Sequence, residues 1–446
     1  MLASLGGLSG TGVDMRQQTL SVVKILLAVI FSTAVAHAGD RATKAVDPTS
    51  AGAPPDSWLL GDWGGERTRL QRMGIDFQFG YTSEIAYNPA GGIEHTTRYA
   101  DQYAAGVTFD LDRLLGIPSA QFQVTLTQRL GRNLSADAEL GTLQQVQEVY
   151  GRGQTIRLTE FWFDQKYADG LIDWKIGRMT FGGDFASFSC DFQNLTFCGA
   201  NPGNIVGNYI YNWPISQWAT RVKVALSGFG YIQAGVYDVN TKYLGVDDQV
   251  LPVYFSGSTG ALIPVELGWL PKLGDEGLPG SYKIGGWYDT SSADDVVSDV
   301  NGNFFALTGL PPRERRGRYG AYINFQQQVT SNLSLFLNAV VADDRTATTD
   351  RQIAGGLIYT GLFSSRPKDD IGFAVGTTHV NNRVADAQAA QDRPVPGSEY
   401  AFELYYTYRP TTGLLFRPNI QYVVNPGGIS ENKDVVVLGL KTAANF

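Results

Sequence analysis

Long apolar runs are missing from almost all of this chain. Beyond residue 38 no uninterrupted apolar stretch approaches the roughly 20 residues that a membrane-crossing helix needs, which excludes a helical membrane protein. Histidine is scarce: His37, His95 and His379 are all there is. A Ser-His esterase would have to use His95 or His379, and neither has a nucleophile motif beside it, so no enzyme is expected. A basic excess is also lacking, since the formal net charge is −8, which argues against nucleic acid as a partner. Cysteine is limited to Cys190 and Cys198, and the pair lacks the further ligands a zinc site would need. We therefore expect no metal and no cofactor.

The one compact apolar stretch lies near the start. Met15 to Ala38 carries basic Arg16 and Lys24, an apolar run from Ile25 to Val35, and Ala36 and Ala38 flanking His37. The run is too short to span a bilayer, and the pattern is that of a secretory signal peptide cleaved after Ala38. Residues 1–14 lack this character, so Met15 is an alternative start. Export places the cysteines in an oxidising space where a Cys190–Cys198 disulfide can persist. A reactive dithiol is the alternative, although neither C-x-x-C spacing nor a nearby histidine lowers a thiol pKa here.

What is abundant is glycine (52 residues) and aromatic side chains (12%), against 17% charged residues. An exported protein without a spanning helix can still cross a membrane as a closed β-barrel, which demands strands that alternate apolar and polar residues. Segment 75–87 sets Ile75, Phe77, Phe79, Tyr81, Ile85 and Tyr87 against Asp76, Gln78, Gly80, Thr82 and Glu84. Phe122, Val124 and Leu126 alternate with Gln121, Gln123, Thr125, Thr127 and Arg129. Val265, Leu267 and Trp269 flank Glu266, and Leu404, Tyr406 and Tyr408 face away from Glu403. A soluble sandwich would fill its apolar face with branched aliphatics, whereas this face is aromatic, as lipid-facing girdles are.

Such segments begin near 75, 102, 121, 156, 171, 218, 230, 261, 281, 318, 333, 353, 369, 400, 415 and 434. The expected fold is an all-β, 16-stranded antiparallel transmembrane β-barrel over residues 75–446, following a signal peptide (1–38) and an N-terminal periplasmic segment (39–74). In that segment Leu70 and Met73 sit on a short helix stopped by Gly74. The chain ends on an aromatic residue, Phe446, at outward parity.

Five stretches carry a resemblance: WLLGDWGGERTRL, residues 135–162, GDFASFSCDFQNLTFCG, YNWPISQWATRVK and RPKDDIGFAVG. Together they resemble the carbohydrate-selective porins of the OprB type, across essentially the whole chain after residue 38. The resemblance implies a trimeric outer-membrane porin that passes monosaccharides such as glucose by diffusion. It also implies an inward-folded third loop, which the segment carrying both cysteines would form, with the disulfide keeping it in the lumen as a constriction. Partners are then small neutral carbohydrates, membrane lipid and lipopolysaccharide.

A sugar channel needs weak binding at its narrow point. Arg129, inward by parity, matches a family position that contacts sugar, the alternative being a solvated rim charge. Trp213 matches a family aromatic of the eyelet, the alternative being an interfacial girdle residue. Glu160 is inward with Trp162 and Asp164, and either accepts hydroxyl hydrogen bonds or balances Arg157 or Arg178. Asp184 and Asp191 on the constriction loop are further candidates, while Glu266, Glu399 and Glu403 read as generic wall residues. The inward positions mix Gln, Thr and Glu with isolated arginines, which favours neutral solutes over an anion or organic acid. The basic run RERRGR (313–318) is either a solvated loop or a contact for lipopolysaccharide phosphates.

Overall fold

The computed structural model describes residues 58–446, so the expected signal peptide and the first part of the 39–74 segment lie outside the described residues. Strand follows strand in chain order: β1 (Ile75–Ala90), β2 (Thr97–Asp110), β3 (Ala120–Gly131), β4 (Thr155–Tyr167), β5 (Ile172–Met179), β6 (Gln217–Leu226), β7 (Gly230–Val239) and β8 (Gly260–Trp269). After the two-residue β9 (Lys272–Leu273) come β10 (Leu278–Asp299), β11 (Pro312–Gln328), β12 (Leu333–Ala342), β13 (Thr349–Thr360), β14 (Asp370–Val380), β15 (Ser398–Thr411), β16 (Leu414–Val424) and β17 (Val435–Asn445). The β9 strand pairs only with β10, inside a turn. The other sixteen pair antiparallel with their neighbours, and β1 pairs with both β2 and β17, which closes the cylinder without an edge. All sixteen expected segments are strands.

Burial along the strands runs opposite to that of a soluble barrel. Glu266 is 0% exposed between Val265 at 47% and Leu267 at 40%. Gln123, Thr125, Thr127 and Arg129 are likewise buried while Leu130, Tyr99 and Tyr103 are exposed outside. An apolar outer face and a polar inner wall are what lipid outside and water inside select.

One register shift matters for the lumen. Thr125 pairs with Glu160 but Leu126 pairs with Leu158, so Thr159 is an extra residue on β4. Such a bulge flips the phase of the strand beyond it. Arg157 and Glu160 therefore both face inward, which strict alternation forbids.

The short helix α1 (Glu66–Met73) ends at Gly74, whose φ of +94° only glycine adopts readily. Leu70 and Met73 lie on it, and its buried residue is Arg67. The Arg67 guanidinium lies 3.7 Å from the Trp58 ring centroid and donates to the carbonyls of Phe77 (2.8 Å) and Phe446 (3.4 Å). Helix α1 is thus fixed where the first and last strands meet.

Candidate functional site: the pore constriction

At the barrel end away from α1 the third connection, residues 180–216 between β5 and β6, is the longest. It folds inward as expected. Phe181 and Phe185 pack on Tyr237 of β7 at centroid distances of 6.1 and 5.9 Å, and Phe192 packs on Tyr405 of β15 at 4.9 Å and on Phe336 of β12 at 5.9 Å. The loop thereby crosses the lumen to the far wall.

A loop inside a barrel must find acceptors for its own N–H groups. The wall glutamates supply them. Glu266 accepts from the Ala186 N–H (2.8 Å), and Glu403 takes the Gln193 and Asn194 N–H groups, both at 2.8 Å. Glu399 does the same for Leu143 (2.7 Å) in the neighbouring loop 132–154 and for Gly427 (3.0 Å). These three are not generic wall residues: they seat the loops.

Two of the expected site residues also hold the loop. Asp184 lies 3.1 Å from Lys175 and 3.2 Å from Arg221. Burial alone would raise the Asp184 carboxyl, but these cations outweigh it and bring it down to about 2. Asp191 faces Arg417 at 3.5 Å, which overcomes the effect of burial and holds that carboxyl below its ordinary value. Cys190 and Cys198 form a disulfide across a Cα–Cα distance of 4.2 Å. Above it, Lys441 Nζ donates to the carbonyls of Cys190 (3.1 Å) and Phe192 (3.0 Å) and meets Glu148 at 3.1 Å.

The inward loop leaves a lumen of about 2370 Å³ lined by Arg129, Glu160, Trp213 and Arg157 among others. Arg129 is not a solvated rim charge. It is 6% exposed, and it donates to Gln102 Oε1 (2.8 Å), the Glu148 carbonyl (3.1 Å), the Gly151 carbonyl (2.9 Å) and Glu148 Oε2 (3.4 Å). Four of its five N–H groups are thus committed. Trp213, on the loop, donates its indole N–H to the same Gln102 oxygen at 2.8 Å and faces the lumen, not the lipid.

Glu160 balances neither Arg157 nor Arg178. Arg157 donates to the carbonyls of Arg152, Tyr243 and Gly245, and Arg178 to Ser216 and the Pro252 carbonyl, so both stitch loops to the wall. Glu160 instead accepts from Thr125 Oγ1 (2.7 Å) and Trp162 Nε1 (3.4 Å). The basic run 313–318 is divided by a register shift opposite Gly317, so that Arg316 and Arg318, two residues apart, face different ways. Arg315 turns to Asp295 (2.7 Å) and Arg318 to Asp289 (2.5 Å), while the Arg316 side chain is 87% exposed.

Three eyelet residues were not singled out by the sequence: Gln102, Glu148 and Arg152. Outward Tyr99 and Tyr103 do place Gln102 inward by parity, but nothing local marks its oxygen as the shared acceptor for Arg129 and Trp213. Arg152 sits in a Gly-Arg-Gly turn with φ of +59°, and its pattern reads only as a turn.

Residues 94–446 match the model of the family described as carbohydrate-selective porin, OprB family. The chain is 44% identical to Porin B of Pseudomonas aeruginosa over 428 residues, covering 90% of this chain and 94% of that one. The high-pH structure of Pseudomonas putida OprB is 43% identical, covers 89% of this chain and 100% of its own, and superposes with a TM-score of 0.85. Its relatives are channels, not enzymes, and the closed barrel with an inward third loop is a channel's architecture. The chain belongs to the OprB family of carbohydrate-selective porins and resides in the bacterial outer membrane.

Proposed function

We propose that the protein passes small neutral monosaccharides such as glucose by passive diffusion, with the Gln102–Arg129–Trp213 group as its narrow point. The observation that carries this reading is the shared Gln102 oxygen, which holds an aromatic ring and a guanidinium side by side at the lumen surface. A ring face suits the C–H side of a sugar, and the neighbouring amide and guanidinium groups suit its hydroxyls. Each such contact is weak in a hydrated lumen, so the solute can enter and leave.

Swelling of liposomes containing the purified channel, with a panel of monosaccharides, disaccharides and amino acids, tests this. Monosaccharides should enter fastest. Trp213→Ala should slow glucose about threefold relative to its effect on potassium chloride conductance. Equal rates for mono- and disaccharides, or an unchanged glucose rate in the variant, would remove the reading.

A further inference from the structure

We propose that segment 251–255 of the loop 240–259 is a membrane-inserting lip: its apolar side chains enter the acyl chains of the outer leaflet, while its opposite face shields two ionisable groups on the outer wall of the barrel.

This loop departs from the loops that build the constriction. Loops 132–154 and 180–216 reach the lumen and show no exposed large apolar side chain among the described residues. In the loop 240–259, by contrast, Leu251 is 71% exposed, Val253 59% and Phe255 62%. Leu244 and Val246 still line the lumen, but none of residues 247–259 does. Along 251–255 exposure alternates, with Pro252 buried and Tyr254 half-buried between the three exposed residues. The segment therefore has two faces, and the outer one is wholly apolar.

What the inner face covers places the segment outside the barrel. Gln217 and Ala219 of β6 are buried toward the lumen, so Trp218 between them points outward, and Phe255 stacks on it at a centroid distance of 5.5 Å and an angle of 21°. Arg178 of β5 pairs with Trp218 and with the exposed Phe161 of β4, so it shares their outward face. It is nevertheless only 1% exposed, because it donates to the Pro252 carbonyl (2.8 Å) and lies 4.2 Å from the Tyr243 ring centroid. Asp238 of β7 is outward by the same alternation, between buried Tyr237 and Val239, and it accepts from the Tyr243 hydroxyl (2.8 Å) and the Ser258 hydroxyl (2.5 Å). A charged side chain turned to lipid is destabilising, and the loop stands between both of these groups and the bilayer.

The exposed face continues the lipid-facing wall. Toward the waist of the barrel the same three strands expose Ile176, Val222 and Val236. In a chain that resides in the outer membrane, an apolar face continuous with that wall meets acyl chains. A second copy of the chain is a poorer occupant, because three side chains fall far short of the roughly 800 Å² per partner that a stable protein interface buries.

The test uses the full channel in phosphatidylcholine vesicles that carry a nitroxide on acyl carbon 5. The native cysteines are joined to each other, so Val253→Cys takes a polarity-sensitive fluorophore at one position, and Asp247→Cys takes it elsewhere on the same loop for comparison. The label at position 253 should be quenched by the nitroxide about threefold more than the label at 247, and by aqueous iodide about threefold less. With Leu251→Ser and Phe255→Ser added, nitroxide quenching at 253 should fall about twofold, while glucose swelling stays within about twofold of the wild type because the barrel is intact. Equal nitroxide quenching at 253 and 247, or quenching at 253 unmoved by the two serine substitutions, would overturn the proposal. Protection from iodide without quenching by the nitroxide would overturn it as well, and would assign the segment to a protein partner.

Discussion

The constriction loop meets two very different neighbourhoods. Along the far wall its N–H groups are held by Glu266 and Glu403 and its rings lie on Tyr237, Phe336 and Tyr405. Across the open lumen it faces the turn bearing Arg152, with a single hydrogen bond from that guanidinium to the Gly207 carbonyl. Both regions are built from inward charged residues, yet in the first every charge has a fixed structural partner and in the second one does not. The charged residues that seat the loop are the ones least free to touch a solute. Breaking the first region should therefore change pore size, whereas changing the second should alter which solutes pass through a pore of the same size.

The largest effect is expected at Glu403. Glu403→Ala removes the acceptor of two buried N–H groups at once, each about 1–3 kcal/mol to leave unsatisfied. Residues 193 and 194 should leave the wall, and single-channel conductance should rise about twofold with disaccharides admitted. Conductance and disaccharide swelling like those of the wild type would show that the aromatic contacts seat the loop without the carboxylate.

Asp184 should matter less. Asp184→Asn uncouples Lys175, but Arg221 keeps Asp164 and Asp173, so the loss should be about 2 kcal/mol in unfolding followed by circular dichroism. The pH dependence has a definite sign. The folded carboxyl lies at about 2, below its ordinary 3.8, so its stabilisation is complete above pH 4 and is lost as pH falls through 2. Conductance should hold steady from pH 7 to pH 4, and a loop that opened near pH 5 would show that another group latches it.

The fold was open to reading because lipid and water impose a two-residue period on every strand, which survives in Glu266 between Val265 and Leu267 as clearly as in Arg129 beside Leu130. Parity says that a residue points inward but not what it meets there. Glu266, Glu399 and Glu403 looked like wall residues because their partners are backbone N–H groups of loops far along the chain, which carry no side-chain signature. The Glu160–Arg157 pairing failed for a related reason: the bulge at Thr159 brings both inward, but the loop 240–259 takes the Arg157 donors. The Asp184 and Asp191 carboxylates were placed on the right loop and given a solute-facing role, whereas cations on β5, β6 and β16 claim them. Arg152 was hidden because its exposure depends on two loops meeting.

The smallest effect should come from the disulfide, which the sequence alone makes the most conspicuous feature of the loop. Closing so short a ring contributes about 2–3 kcal/mol through the unfolded chain. Within the folded pore the same segment is also held by Lys441 on the Cys190 and Phe192 carbonyls, by Glu403 on Gln193 and Asn194, and by Phe192 against Tyr405. Reduction should therefore raise disaccharide swelling rates by less than about twofold and leave glucose unchanged, far short of the change expected from Glu403→Ala. Reduction that opened the pore as widely as that substitution would invert the ranking, and would mean that the crosslink and not the glutamate keeps the loop against the wall.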